Sequence, residues 1–191
     1  EERAPVAKQV GPAVVNIYTS RREQVRLPFF GMMQDPFFEQ FFNRSFGDMP
    51  RERVVNSLGS GVLVKPDGLI VTNAHVVKGA DEIRVVLADR REFEAKLVSQ
   101  EERFDLALLR IEQKGLKPLA LADSDAIKQG QPVAAMGNPE GLAFSIVDGV
   151  VSEFPDIVND HAMIRLALPI EKGNSGGPLL DRQGRVLGIL T

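Results

Sequence analysis

One serine in this 191-residue chain has surroundings that suit nucleophilic chemistry. Ser175 lies in the segment GNSGG, residues 173–177, between two apolar stretches. A serine nucleophile needs its hydroxyl exposed on a tight turn, with backbone N–H groups directed at the oxyanion that forms during reaction. Glycine permits both the unusual backbone angles and the close approach of a substrate. Taken alone, the segment is also compatible with a flexible polar loop.

A nucleophilic serine needs a base, and the chain has only two histidines. His75 follows an apolar run in TNAHVV, residues 72–77, where it is either a general base at a strand end or a satisfied core histidine. His161 lies between Asp160 and Ala162 in a polar stretch, and we interpret it as a surface-loop histidine. Two histidines cannot form a multi-histidine metal site.

An aspartate completes the candidate set. Asp105 opens the apolar segment FDLALL, residues 104–109, where an unpaired charge is costly. Its carboxylate can accept the Nδ1–H of a histidine and fix the imidazole tautomer, or it can occupy a turn or a strand edge. Along the chain, 30 residues separate His75 from Asp105 and 70 separate Asp105 from Ser175. The order histidine, aspartate, serine is one of those known for catalytic triads, and the serine falls in the second half of the chain.

Other polar groups are weaker candidates. Lys172 beside the serine loop could form a Ser–Lys dyad, but the context of His75 disfavours it. Asp156 and Asp160 are not surrounded by a calcium-loop pattern. The glycines at 59–61 lack the strand–turn–helix context of a nucleotide-binding loop, and we predict a structural turn there. We therefore expect no metal site.

The segments that must position these residues are short and strand-like. Residues 1–10 show helical spacing of apolar residues, and a Gly-Pro pair then ends the predicted helix. Proline and glycine at 66–68 predict a hairpin turn. A polar, proline-marked stretch at 114–125 would join two halves. This pattern predicts an all-β sandwich or barrel, with strands at 13–19, 61–65, 69–72, 82–87, 92–98, 106–111, 132–136, 145–151, 163–166, 179–180 and 185–190.

Composition excludes several classes of protein. The net charge is −3, and no basic block predicts a nucleic-acid surface. No run of 18 apolar residues predicts a membrane span. The absence of cysteine excludes disulfides and thiol nucleophiles, and it is compatible with the cytosol or a bacterial periplasm. The first three residues, EER, do not resemble a signal peptide.

Residues 27–53 have a different composition, since they contain seven of the eleven phenylalanines. A solvated loop should be polar. The segment is either a loop folded on its own core, or an adhesive segment that docks on another subunit or guards a site.

Four segments together carry a specific resemblance: TNAHVV, FDLALLRI, AMGNPEG and GNSGGPLLDRQGRVLGI. With them, nearly the whole chain resembles the HtrA/Deg (Do-like) family of ATP-independent serine proteases. The resemblance implies an all-β fold of two six-stranded antiparallel barrels of the chymotrypsin/trypsin-like type, with a short N-terminal helix. The implied division is helix and first strand at 1–26, a Phe-rich regulatory loop at 27–53, the rest of the N-terminal barrel at 54–116, and the C-terminal barrel at 117–191.

The resemblance also implies roles for individual residues. Ser175 would be the nucleophile, His75 the general acid–base and Asp105 its orienting partner. The N–H groups of Gly173 and Ser175 would form the oxyanion hole, and Ile170 would suit an apolar wall of the substrate pocket.

The resemblance also implies that no cofactor is needed, and it extends to partners. Substrates would be unfolded or damaged proteins, bound as an added strand. The assembly would be a homotrimer or a larger cage, built through the N-terminal segment and the Phe-rich loop. The location would be the bacterial periplasm or cell envelope, or an organelle of bacterial origin.

The chain departs from the family pattern in places. The stretch LALPI at 166–170 replaces a Thr-Asp-Ala motif, we expect residues 153–162 to form a short loop, and the sequence up to Thr191 includes no PDZ domain. Asn174 cannot form the ion pair of zymogen-type activation, so ordering of loops is the expected switch. Two alternatives stay open, a non-proteolytic holdase for unfolded proteins and an inactive regulatory copy.

Overall fold

Two antiparallel β-sheets make up most of the described chain. The structure is a computed structural model that describes residues 8–24, 36, 52–137, 145–169 and 174–191. Residues 8–10 are helical and run into a 3-10 turn, Gly11–Ala13. The predicted all-β architecture of two sheets after a short N-terminal helical segment is confirmed. The Phe-rich stretch at 27–53 lies outside the described residues apart from Pro36 and the start of a strand at Glu52.

The first sheet closes on itself. Its strand order is β5-β4-β1-β2-β3-β7-β6, and only Ala95 separates β5 from β6. Both edges of the sheet are therefore formed by one bent segment, which makes seven named strands into a six-stranded barrel. Its strands are β1 (Val14–Gln24), β2 (Glu52–Lys65), β3 (Leu69–Thr72), β4 (Glu82–Val86), β5 (Glu92–Glu94), β6 (Lys96–Glu101) and β7 (Leu106–Arg110).

The β2–β3 hairpin turns where proline and glycine predict it. Gly68 has φ 103° and its amide donates to the Lys65 carbonyl over 3.2 Å. A Cβ at Gly68 would stand 2.2 Å from the Ile111 carbonyl oxygen, so only glycine fits this turn. The hairpin brings the end of β3, and the short helix α1 (Ala74–Val77) that follows it, beside β7.

The second sheet has the order β10-β9-β8-β11-β12, which gives five strands in the described part of this half. Its central strand is β8, paired with β9 and β11. The linker at 114–125 contacts both sheets, because Leu119 donates to Leu63 in the first and Ala122 donates to Val186 in the second. The strands are β8 (Pro132–Gly137), β9 (Ser145–Val158), β10 (His161–Ala167), β11 (Pro178–Leu180) and β12 (Val186–Ile189).

Two local predictions were wrong. Residues 153–162 are not a loop but the end of the β9–β10 hairpin, closed by a two-residue turn in which Asn159 and Asp160 have φ 51° and 64°. Asparagine and aspartate tolerate this left-handed geometry, which matches the twist of paired strands. The glycines at 59–61 are not a turn either but lie inside β2, where they pair with β1. Glycine is needed at position 61 because a Cβ there would meet Ile17 and Ile70 at 2.8 and 3.0 Å.

The larger hydrophobic core crosses from one sheet to the other. It is centred on fully buried residues of the first sheet, including Ile17, Leu63 and Leu109. Met136 and Leu180 of the second sheet belong to the same cluster. A smaller cluster, around Val151 and Leu187, belongs to the second sheet alone. In the described part of the chain, no helix is both long and apolar enough to cross a membrane.

Candidate active site

His75 is carried by the four-residue helix α1. Strand β3 ends at the buried Thr72, and α1 begins two residues later. The helix is anchored by the buried residues Ala74, Val76 and Val77, while the His75 side chain remains 52% exposed. This position holds the imidazole firmly at its backbone and leaves its ring open to solvent and substrate.

Asp105 faces His75 from the turn before β7. It ends the 3-10 turn Glu102–Phe104 in the left-handed conformation, with φ 53° and ψ 43°. Its Oδ1 accepts the backbone N–H of His75 at 2.8 Å, and its Oδ2 lies 2.6 Å from His75 Nδ1. A carboxylate at Nδ1 favours the tautomer with the proton on that nitrogen, and so leaves Nε2 free to act as a base.

The protonation of Asp105 suits this role. Burial raises the pKa of the carboxyl, but hydrogen bonds from the Thr191 hydroxyl and from the amide and ring of His75 outweigh it. The resulting pKa is lower than the ordinary aspartate value. Asp105 is therefore ionised at neutral pH and able to stabilise an imidazolium beside it.

Sequence reasoning missed Thr191. Its Oγ1 donates to Asp105 Oδ2 at 2.5 Å, across 86 residues of sequence. It comes from the second half of the chain, just beyond β12, so the Asp105 carboxylate is held by both halves. No local signal marks Thr191, because its partner is distant in sequence.

We expect Thr191→Val to lower kcat/KM about tenfold, because one charge-assisted hydrogen bond to Asp105 is lost. Thr191→Ser is the matched control, since it keeps the hydroxyl and should stay near wild-type activity. Steady-state cleavage of labelled casein measures both. Equal activity in the valine and serine variants would show that the hydroxyl does not support the site.

Ser175 lies where the two sheets meet. Its carbonyl accepts the N–H of Ser60, on β2, at 2.9 Å. A Cβ at Gly59 would stand 2.8 Å from the methyl groups of Val76 and 3.4 Å from the Ser175 carbonyl oxygen. The backbone of Ser175 thus lies beside the helix that carries His75.

The glycine after the serine is required by this packing. Gly176 has φ 90°, and a Cβ there would stand 2.0 Å from the Ser60 carbonyl oxygen. Its N–H donates to Leu190 at 2.9 Å, which ties the serine turn to the end of β12. Within the described residues, no hydrogen bond joins the Ser175 hydroxyl to the His75 imidazole. Hydrogen bonds between catalytic groups often tighten only when substrate binds.

Several predicted residues lie outside the described part of the chain, namely Gly173, Ile170 and Lys172. The roles predicted for Gly173 in the oxyanion hole and for Ile170 in the pocket wall therefore stay predictions. Asn174 is among the described residues and is 1% exposed. A Cβ added at Gly137 would lie 2.3 Å from its Oδ1.

The interpretation of His161 as a loop residue was wrong. It is the first residue of β10, and its ring lies against Phe104 with centroids 4.4 Å apart. It is placed there because the β9–β10 hairpin reaches across to the first barrel. Arg103 covers the same phenylalanine ring at 5.6 Å. His161 is thus a contact between the two halves, beside the residue that precedes Asp105.

Two antiparallel sheets with a histidine–aspartate pair on one half and a glycine-flanked serine on the other are the arrangement of the two-barrel serine peptidases. Residues 59–189 match the protein family described as "Trypsin-like peptidase domain". The chain belongs to this family of trypsin-like peptidase domains.

The relatives point the same way. A probable periplasmic serine endoprotease, DegP-like, from Halomonas elongata is 43% identical over 96% of this chain and 42% of its own length. Its counterpart in Pseudomonas putida strain GB-1 is 41% identical, with the same coverage. The chain thus spans less than half of the curated relatives it matches.

Solved structures agree. A variant of the HtrA-type protease AlgW with a decapeptide has a TM-score of 0.80 and 35% identity, over 97% of this chain and 56% of that one. AlgW with a tripeptide has a TM-score of 0.75 and 33% identity, over 97% and 52% of the two chains. The resemblance to the HtrA/Deg proteases is confirmed.

Proposed function

We propose that the chain is the catalytic part of an ATP-independent serine endopeptidase that cleaves unfolded or damaged proteins. The observation that carries this proposal is the two-point contact of Asp105 with His75, through the backbone N–H and through Nδ1. A buried or surface histidine needs no such geometry, whereas a general base needs both its tautomer and its orientation fixed.

The chemistry follows from this geometry. Ser175 Oγ attacks the scissile carbonyl while His75 Nε2 takes its proton, and the ionised Asp105 stabilises the imidazolium that forms. The backbone N–H groups of Gly173 and Ser175 would bind the oxyanion of the tetrahedral intermediate. His75 then passes its proton to the leaving amine, and an acyl-enzyme on Ser175 remains. Water, activated by His75, releases the second product.

A fluorophosphonate probe tests the proposal directly. We expect one covalent adduct, detected by intact mass and mapped to Ser175 by peptide sequencing. The probe reacts only with a serine whose base and oxyanion donors are in place, so labelling reports an assembled site. A folded chain that takes up no probe would contradict the peptidase assignment and favour a binding protein for unfolded chains.

The proposed location rests on the names of the relatives, whereas the proposed substrates and assembly rest on the family resemblance. Two curated relatives are named periplasmic serine endoproteases, and we extend to this chain a periplasmic or cell-envelope role in protein quality control. We propose a homotrimer or larger cage, formed through the N-terminal segment and the Phe-rich stretch at 27–53. This stretch contains seven phenylalanines, a residue type that is enriched in subunit interfaces.

Charging that stretch tests the proposed assembly. We expect Phe37→Glu combined with Phe41→Glu to reduce the oligomer size measured by light scattering, because two charges would have to be desolvated in the interface. The thermal midpoint should change little. Leu121→Glu is the control, since this side chain is 67% exposed and lies outside the stretch. An unchanged oligomer in the double variant would remove the Phe-rich stretch from the interface.

A further inference from the structure

Asn73 occupies a helix cap without capping the helix. It is the residue before α1, with extended backbone angles of φ −86° and ψ 146°. Asparagine at this position normally accepts an N–H of the first helical turn with its side-chain oxygen. Here no side-chain cap bond forms. The side chain is therefore turned towards something other than its own helix.

Its amide reaches Asp105 instead. Asn73 Nδ2 donates to the Asp105 carbonyl at 3.1 Å, across 32 residues of sequence. The residue is 0% exposed, and its Oδ1 has no hydrogen-bond partner in the described part of the chain. A buried acceptor without a partner is unfavourable, and native proteins leave few of them. The Asn73 side chain thus makes no capping hydrogen bond and leaves Oδ1 unpaired among the described residues, while its amide donates to Asp105.

With that bond, hydrogen bonds hold both the backbone carbonyl and the side-chain carboxylate of Asp105. The carbonyl accepts from Asn73 Nδ2 and from the N–H of Ala74, each at 3.1 Å. The carboxylate is held by the N–H and the ring of His75. Carbonyl and side chain attach to the same α-carbon, which is in the sparsely populated left-handed region. Fixing the carbonyl therefore constrains the backbone of Asp105 and the direction of the Cα–Cβ bond from which the carboxylate extends.

We propose that Asn73 is a positioning residue for the peptidase reaction: its side-chain amide locks the left-handed backbone of Asp105, so that the carboxylate meets the His75 imidazole. This inference rests on the proposed peptidase function. It adds a residue that touches neither substrate nor reacting atoms and acts through Asp105.

Kinetics of Asn73→Leu give the first test. Leucine has a similar volume and no donor. We expect kcat to fall roughly 10- to 100-fold, because small displacements of a catalytic group cost about this much. KM should change little, because substrate contacts are intact. Asn73→Ala is the second variant, for use if leucine does not fit.

A double variant separates positioning from general destabilisation. If Asn73 acts through Asp105, then Asn73→Leu should have no further effect on kcat once Asp105→Asn is present. The matched control is Asn16→Leu, since Asn16 is a buried asparagine of the same barrel whose Oδ1 also lacks a partner among the described residues. We expect Asn16→Leu to lower the thermal midpoint and leave kcat unchanged. The proposal would be overturned if Asn73→Leu and Asn16→Leu lowered kcat equally and the effects of Asn73→Leu and Asp105→Asn on kcat were fully additive.

A spectroscopic readout makes the test independent of activity. The proton between His75 Nδ1 and Asp105 should give a downfield NMR resonance in the Ser175→Ala protein. We expect Asn73→Leu to weaken or shift it and Asn16→Leu to leave it in place. If wild type takes up no fluorophosphonate, the peptidase assignment fails while this resonance still decides the structural inference. An unaltered resonance in Asn73→Leu would overturn the inference alone.

Discussion

Ser175→Ala is expected to lower peptide-bond cleavage by about 10⁴- to 10⁶-fold, the largest loss that any single substitution in this chain should produce. The hydroxyl is the proposed nucleophile, and without it the acyl-enzyme cannot form on residue 175. His75→Ala should cause a loss of the same order, because the members of a triad act as a unit. Cleavage of labelled casein at matched protein concentration measures both.

The control for Ser175→Ala is Ser99→Ala. Ser99 is an exposed serine on β6, and its replacement is expected to leave cleavage unchanged. The Ser175 variant also separates peptidase from holdase, because casein binding should persist when cleavage is lost. Cleavage at the wild-type rate in Ser175→Ala would place the nucleophile elsewhere.

Asp105→Asn is expected to preserve the fold and lower kcat by about 10⁴-fold. An amide can donate to Nδ1 and so stabilise the wrong imidazole tautomer, and it carries no charge to balance an imidazolium. Steady-state kinetics measure the loss, and circular dichroism checks the fold. Asp89→Asn is the control. Asp89 is another aspartate of the first barrel whose pKa is lowered, by hydrogen bonds and charge from Arg91. Equal kinetics in both variants would assign the orienting role to a different carboxylate.

The same substitution should alter the pH dependence of stability. The pKa of Asp105 is lower in the folded chain than its ordinary value of 3.8. The stabilisation that this difference represents is present above the unfolded pKa and is lost as pH falls through the folded one. The difference in thermal midpoint between wild type and Asp105→Asn should therefore change as pH falls below about pH 4.

Those parts of the fold and the candidate site that depend on short local motifs could be predicted from the sequence. Ser175 and His75 lie in short motifs, and the hairpin turn at Gly68 carries its own proline and glycine. The strands were placed by apolar runs, although β1 and β9 extend beyond the predicted ends at residues 19 and 151. Both extensions are rich in polar or exposed residues, which periodicity does not recognise as strand.

What sequence reasoning missed depends on contacts between distant segments. The bonds of Thr191 and Asn73 to Asp105 join residues 86 and 32 positions apart. Asp105 adopts the left-handed conformation although it is not a glycine, so no residue type in the sequence marks this conformation. His161 was misplaced because its hairpin is closed by Asn-Asp, a turn pair less familiar than Asn-Gly.

The hydrophobic core shared by the two sheets has a consequence for folding cooperativity. Because Met136 and Leu180 complete a core centred on the first barrel, neither half buries its apolar surface fully without the other. Among the described residues, the second cluster has only five buried side chains, which are too few to sustain an independent unit. The two halves should therefore melt in a single transition, and separately expressed halves should not accumulate as folded fragments.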